Sequence, residues 1–66
     1  MKNSIKVERA KKNITQEELA EKIGVSRQTI NAIETMRFVP STILAIKIAK
    51  YFKTTVEQIF ELDKND

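Results

Sequence analysis

The sequence predicts an all-α fold, a compact bundle of five short helices forming one domain. Three observations lead there. Apolar residues recur at helical spacing, while strand-like alternation never lasts more than a few residues. Serine or threonine stands just ahead of four of the helical stretches, at Thr15, Ser26, Ser41 and Thr55. There a side-chain oxygen can accept from the free amides of a first turn. The one glycine, Gly24, falls where a helix has to end, and glycine takes the left-handed conformation at little cost.

The first helix is expected over about residues 4–13, with Val7, Ala10 and Ile14 as its apolar stripe. Lys11 and Lys12 near its end suit the negative pole of the helix dipole and can also reach a phosphate. The second, about 16–23, opens with a capping box. Thr15 accepts from the first-turn amides and Glu18 reaches back, while Leu19, Ala20 and Ile23 supply the apolar stripe. After Gly24 and the single intervening Val25, Ser26 caps a third helix over about 26–35. Two helices joined by so tight a turn have the form of a helix-turn-helix, whose second helix can enter a DNA major groove.

Ser41 caps a fourth helix, about 42–52. With Ile43 at zero, Leu44, Ala45, Ile48, Tyr51 and Phe52 spread over about 80° to 200°, an ordinary core face. Ile43 and Ile46, at 0° and about 300°, sit instead among Lys47, Lys50 and Lys53. Thr55 and Gln58 form a second capping box for a fifth helix, about 56–61. Ile43 and Ile46, with Ile59, Phe60 and Leu62, are expected to form a self-complementary dimer interface. A short pairing of residues 2–5 with 60–62 is compatible with the pattern, and residues 63–66 are expected to fray.

The third helix separates its faces. With Arg27 at zero, Gln28, Asn31 and Thr35 fall at about 100°, 40° and 80°, and Ser26, Ile30 and Ile33 at about 260°, 300° and 240°. One arc therefore carries only polar groups, and another the two isoleucines that pin the helix to a core. Arginine can bond guanine bidentately, and glutamine or asparagine can do the same to adenine. Most polar helix faces are merely solvated. This one has no acid between Ser26 and Ile33, in a chain that is 32% charged, and it follows the turn directly. Arg27, Gln28 and Asn31 are accordingly expected to read bases.

The segment TQEELAEKIGVSRQTINAIE resembles the phage repressor and Cro type of helix-turn-helix, the XRE family. The matching elements are Gln16, Leu19–Ala20, Gly24–Val25–Ser26, Ile30, Ile33 and Glu34, and the likeness continues through Pro40–Ser41 over nearly all 66 residues. It implies a lambda-repressor-like bundle close to the minimal, stand-alone members. It also implies base contacts from Arg27, Gln28 and Asn31, and backbone contacts from Lys12, Gln16, Ser26, Thr35 and Arg37. Gln16 is expected both to touch a phosphate and to buttress the recognition helix. Arg9 and Glu34 match a buried structural pair. Two departures stand out. Met36 replaces a customary loop glycine, so the phosphate-binding loop is expected to take another geometry, with Arg37 supplying more of the charge. Thr42 and Ile43 exchange the usual apolar and polar order, which points Ile43 to a subunit interface.

Composition narrows the function classes. A core of this size buries only about 60% of the unfolded chain's surface. Without cysteine or histidine, neither disulfides nor the usual zinc sites can staple it, so helix packing or dimerisation must compensate. There is no long apolar run and no signal-peptide pattern, so a soluble cytoplasmic protein is expected. Net charge is +3; residues 1–53 hold eleven basic against five acidic side chains, net +6, and residues 54–66 one against four, net −3. A basic body with an acidic tail suits a bound polyanion. Lacking histidine, cysteine and a phosphate-cradling glycine loop, the chain is not expected to be an enzyme, nor to need a cofactor, metal or small-molecule ligand. An antitoxin or coactivator-like adaptor on the same fold is the main alternative. An RNA binder is less favoured, since no aromatic platform is apparent. The reading that results is a transcriptional regulator, a repressor in the simplest case, bound to double-stranded DNA as a homodimer on a near-palindromic operator.

Overall fold

In a computed structural model describing residues 1–66, the elements run β1 (Lys2–Asn3), α1 (Ile5–Lys12), α2 (Gln16–Ile23), α3 (Arg27–Glu34), α4 (Thr42–Tyr51), α5 (Val56–Ile59) and β2 (Phe60–Glu61). The caps follow the sequence. Thr15 Oγ1 accepts from the Glu18 amide at 3.0 Å, and Glu18 Oε1 accepts from the Thr15 amide at 2.9 Å. Ser26 caps α3 by accepting from the Thr29 amide, and Ser41 caps α4 by accepting from that of Leu44. The box expected at Thr55 is only half made: Thr55 accepts from the Gln58 amide, but the Gln58 side chain does not return the bond.

Four helices end in one kind of turn. Asn13, Gly24, Met36 and Lys53 all have positive φ, at 56°, 90°, 63° and 57°. In each case the next amide reaches five residues back, from Ile14 to Arg9, Val25 to Ala20, Arg37 to Ala32 and Thr54 to Ala49, at 2.9–3.1 Å. This is the long bond of the Schellman motif. The loop after α3 thus keeps the left-handed geometry that glycine favours although methionine occupies it, which corrects the expectation of a different geometry at Met36.

The core is one cluster: Ile5, Leu19, Ala20, Ile23, Ile30, Ile33, Ala45, Ile48, Ala49, Phe52, Ile59 and Phe60. The stripe expected on α1 is wrong. Val7 and Ala10 are exposed, and the helix buries Ile5 alone, with Ile14 packing in just after it. The inward line runs from Ile5 to Arg9, four residues on, so α1 docks partly through an ion pair. Val7 is two residues off that line and points away from it.

The fifth helix stops two residues early. Phe60 takes extended φ and ψ, and β1 pairs antiparallel with β2 in the register Lys2↔Glu61 and Asn3↔Phe60. The Ser4 amide donates to the Ile59 carbonyl at 2.9 Å. This pairing pulls Ile59 and Phe60 into the core, where they are 3% and 6% exposed. Side chains so covered leave little surface for a second copy, and both are removed from the expected dimer interface. Ile43, Ile46 and Leu62 are exposed. Nor does the tail simply fray: the Asp63 amide donates to Asp66, whose carboxylate meets the Met1 ammonium at 3.1 Å. These two contacts hold the Asp66 carboxyl below its ordinary pKa, the backbone hydrogen bond contributing most. No helix is long and apolar enough to cross a membrane.

Candidate nucleic-acid interface

The outer face of α3 is built on a locked scaffold. Arg9 grips Glu34 bidentately, Nε donating to Oε2 at 2.6 Å and Nη2 to Oε1 at 3.0 Å, while Nη1 donates to the Ile14 carbonyl at 3.0 Å. The two side chains are 14% and 5% exposed. Glu34, through the hydrogen bonds first and its charge second, raises the Arg9 pKa against the cost of burial. The pair therefore joins α1 to the last turn of α3.

From Glu34 a chain of amides runs outward. Gln16 Nε2 donates to Glu34 Oε1 at 3.1 Å, and Asn31 Nδ2 donates to Gln16 Oε1 at 3.4 Å. Arg37 Nη2 donates to Asn31 Oδ1 at 3.0 Å, and Arg37 Nε donates to Thr35 Oγ1 at 3.0 Å. Thr35 in turn donates to the Asn31 carbonyl at 2.8 Å. The geometry thus brings Gln16, Asn31, Thr35 and Arg37 together beside Arg9 and Glu34, with Gln16 bonded to both Glu34 and Asn31 of α3.

Arg27 and Gln28 are different. Both are exposed on the first turn of α3, and neither is hydrogen-bonded through its side chain to the rest of the chain. Ser26 is occupied as the cap and shares a further hydrogen bond with Thr29 Oγ1 at 2.9 Å. Lys12 is exposed too, but its ammonium stands 5.5 Å from the centre of the Tyr51 ring, against α4 rather than α3. The largest depression, about 470 Å³, lies between α2 and α4, lined by Lys22, Ile23, Lys47, Lys50 and Tyr51, and includes no residue of α3.

One residue of the scaffold escaped the sequence reading. Asn3 Nδ2 donates to the Ile33 carbonyl at 2.8 Å, tying β1 to the last turn of α3, and Asn3 Oδ1 accepts from the Ile5 amide at 3.3 Å. The only sequence signal was an asparagine just ahead of a helix. Asn31 was read by its position on the helical wheel, which cannot show that its amide is engaged on both sides.

A family model for the helix-turn-helix matches residues 5–59. The chain belongs to the helix-turn-helix family. Its type is that of XRE, as the motif residues imply. This helix-turn-helix chain is 58% identical over 60 residues to an uncharacterized HTH-type transcriptional regulator of Methanocaldococcus jannaschii, covering 91% of each. It is 46% identical over 66 residues to another such uncharacterized regulator from Bacillus subtilis, covering both completely. A third, from Archaeoglobus fulgidus, is 47% identical over 66 residues, covering all of this chain and 93% of the relative. Membership makes the helix-turn-helix chain a DNA-binding regulator and not an enzyme.

Proposed function

We propose that the protein is a sequence-specific transcriptional regulator that binds duplex DNA as a homodimer, with α3 in the major groove. The observation that carries the proposal is the state of Arg27 and Gln28. They are the exposed, unengaged polar side chains on the first turn of a helix whose other end is fixed by Arg9, Glu34 and Gln16. Rigid support beneath free tips is what base reading requires, because contact geometry must be set before the DNA arrives. Gln16, Ser26, Thr35, Arg37 and, from further away, Lys12 supply contacts to the phosphates, which set register and orientation without reading sequence.

The dimer follows from size and surface. An eight-residue α3 is about 12 Å long and spans only about four base pairs. Two copies related by a two-fold axis would set their α3 helices about 34 Å apart on a near-palindromic site. Ile43, Ile46 and Leu62 are the apolar surface for that contact. Occupying an operator blocks polymerase, so repression is the simplest outcome, and the cytoplasm is the matching compartment. The names of these relatives support the regulatory reading.

Selection of bound sites from random duplex DNA tests it, followed by affinities for the selected and scrambled sites. Arg27→Ala or Gln28→Ala should cost about 1–3 kcal/mol on the selected site and relax preference at one or two base pairs per half-site. If both variants keep the wild-type ratio of affinities, α3 does not read bases, and an adaptor role on the same fold becomes the better account.

A further inference from the structure

The chain of hydrogen bonds ending at Arg37 has a fixed direction. A guanidinium can only donate, so the Asn31 atom facing Arg37 must be the carbonyl oxygen. Asn31 Nδ2 is then turned to Gln16, which must accept with its own oxygen and donate through Nε2 to the Glu34 carboxylate. A donor-only group at one end and an acceptor-only group at the other leave the amides between them one orientation. Asn31 is also half-buried, unlike Arg27 and Gln28 beside it.

We infer that Asn31 is not a base reader but a positioning residue, the hub that holds Gln16 and Arg37 at a fixed spacing so that they meet the DNA backbone together. This inference rests on the reading that α3 binds duplex DNA. Bidentate recognition of adenine uses an amide's oxygen and nitrogen side by side. In Asn31 the oxygen is turned to Arg37 and the nitrogen to Gln16, the two groups that flank α3. Arg37 is a long, flexible side chain on a loop, and Asn31 with Thr35 confines it. Binding then starts with the charge already placed, which lowers the ordering cost of the contact.

The test is a salt titration of duplex binding with wild-type protein, Asn31→Ala, Arg37→Ala and the double variant, on selected and scrambled sites. Asn31→Leu, which keeps the bulk without the hydrogen bonds, runs in parallel, and thermal midpoints confirm folding. Asn31→Ala should weaken both sites alike, by roughly 3- to 10-fold, the worth of about one hydrogen bond. It should also flatten the dependence of log K on log salt by up to about one unit per copy, although Asn31 carries no charge, because Arg37 is no longer held on its phosphate. In the Asn31→Ala background, Arg37→Ala should cost distinctly less than in the wild type. In the free protein, Arg37→Ala should shift the side-chain amide resonances of both Asn31 and Gln16.

An unchanged salt slope with preference lost at one base pair would make Asn31 a base reader and overturn the inference. So would Asn31→Ala and Asn31→Leu that bind both sites with wild-type affinity. If wild-type protein showed no preference between the sites and Arg27→Ala none of its expected loss, the DNA reading beneath the inference would fail first, and recognisably so.

Discussion

Glu34 accepts three side-chain hydrogen bonds, two from Arg9 and one from Gln16, and is almost covered. Removing it strands a guanidinium that retains only its bond to the Ile14 carbonyl. Glu34→Ala should therefore cost about 3 kcal/mol, whereas Arg9→Ala with Glu34→Ala should recover part of that loss. Urea unfolding of the four proteins gives the coupling, and strictly additive losses would show that the pair is not a unit. The pair also makes a statement about pH. Arg9 has a folded pKa raised above its unfolded value, so its stabilisation is complete below that unfolded value and is lost only as pH rises through the folded one. That window lies beyond any usable alkaline condition. Arg9→Lys should introduce a fall in stability at about pH 10–11, near the ordinary lysine pKa of about 10.4, together with the loss of the fork. Stability measured at pH 8 and pH 11 for the two proteins checks it.

The Schellman turns give the elements their own test. Gly24 meets no atom within 4 Å of where a Cβ would sit, so Gly24→Ala carries only the conformational cost of φ +90°, on the order of 1 kcal/mol. Met36 and Lys53 bear that kind of cost already. Met36→Gly and Lys53→Gly should each raise stability, by about 0.5–1 kcal/mol less what glycine adds to the unfolded chain's freedom, seen as higher urea midpoints. Lower midpoints in both would mean that the side chains offset the strain through contacts. The same turns show how far the sequence could be read. Four of the five helix starts were legible from their caps, because Thr15, Ser26, Ser41 and Thr55 cap by their own chemistry, whereas Ser4 ahead of α1 makes no side-chain cap bond. Among the ends Gly24 was marked strongly and Asn13 weakly, while methionine and lysine in the left-handed region leave no local sign. The face of α3 was legible from its period. The stripe on α1 was not, because an arginine paired across 25 residues takes the place of an apolar residue there. The early end of α5 escaped for a like reason: a partner strand at the other end of the sequence, with Asn3 opposite Phe60, decides it.

Exposure divides the apolar residues once grouped as one interface. Ile43 is 70% exposed, so Ile43→Glu should leave the melting temperature of a single copy nearly unchanged while shifting sedimentation from dimer to monomer. Ile59→Ala should act the other way, costing about 2–5 kcal/mol by opening a cavity in the core, whatever the assembly state. Wild-type protein that sediments as a monomer at high micromolar concentration, free and on DNA, would refute the dimer. With about three or four ionic contacts from each copy, log K against log salt for the dimer should slope at about −5 to −7. A slope near half that would mean that one copy binds alone.

The pairing of β1 with β2 also sets a timetable. Ile5 enters the core beside a strand whose partner, Phe60–Glu61, is made long after it. Translation runs from the first residue to the last, at about 5–20 residues per second. While residues 59–61 are still inside the ribosome, Lys2–Asn3 have no neighbour, Ser4 lacks the Ile59 carbonyl, and the core is missing Ile59 and Phe60. The helix-turn-helix can form early from its local contacts, but Asn3 is set against the last turn of α3 only when β1 and β2 have met. A nascent chain therefore carries the motif before it carries the finished interface, which is complete only once β2 has emerged to pair with β1.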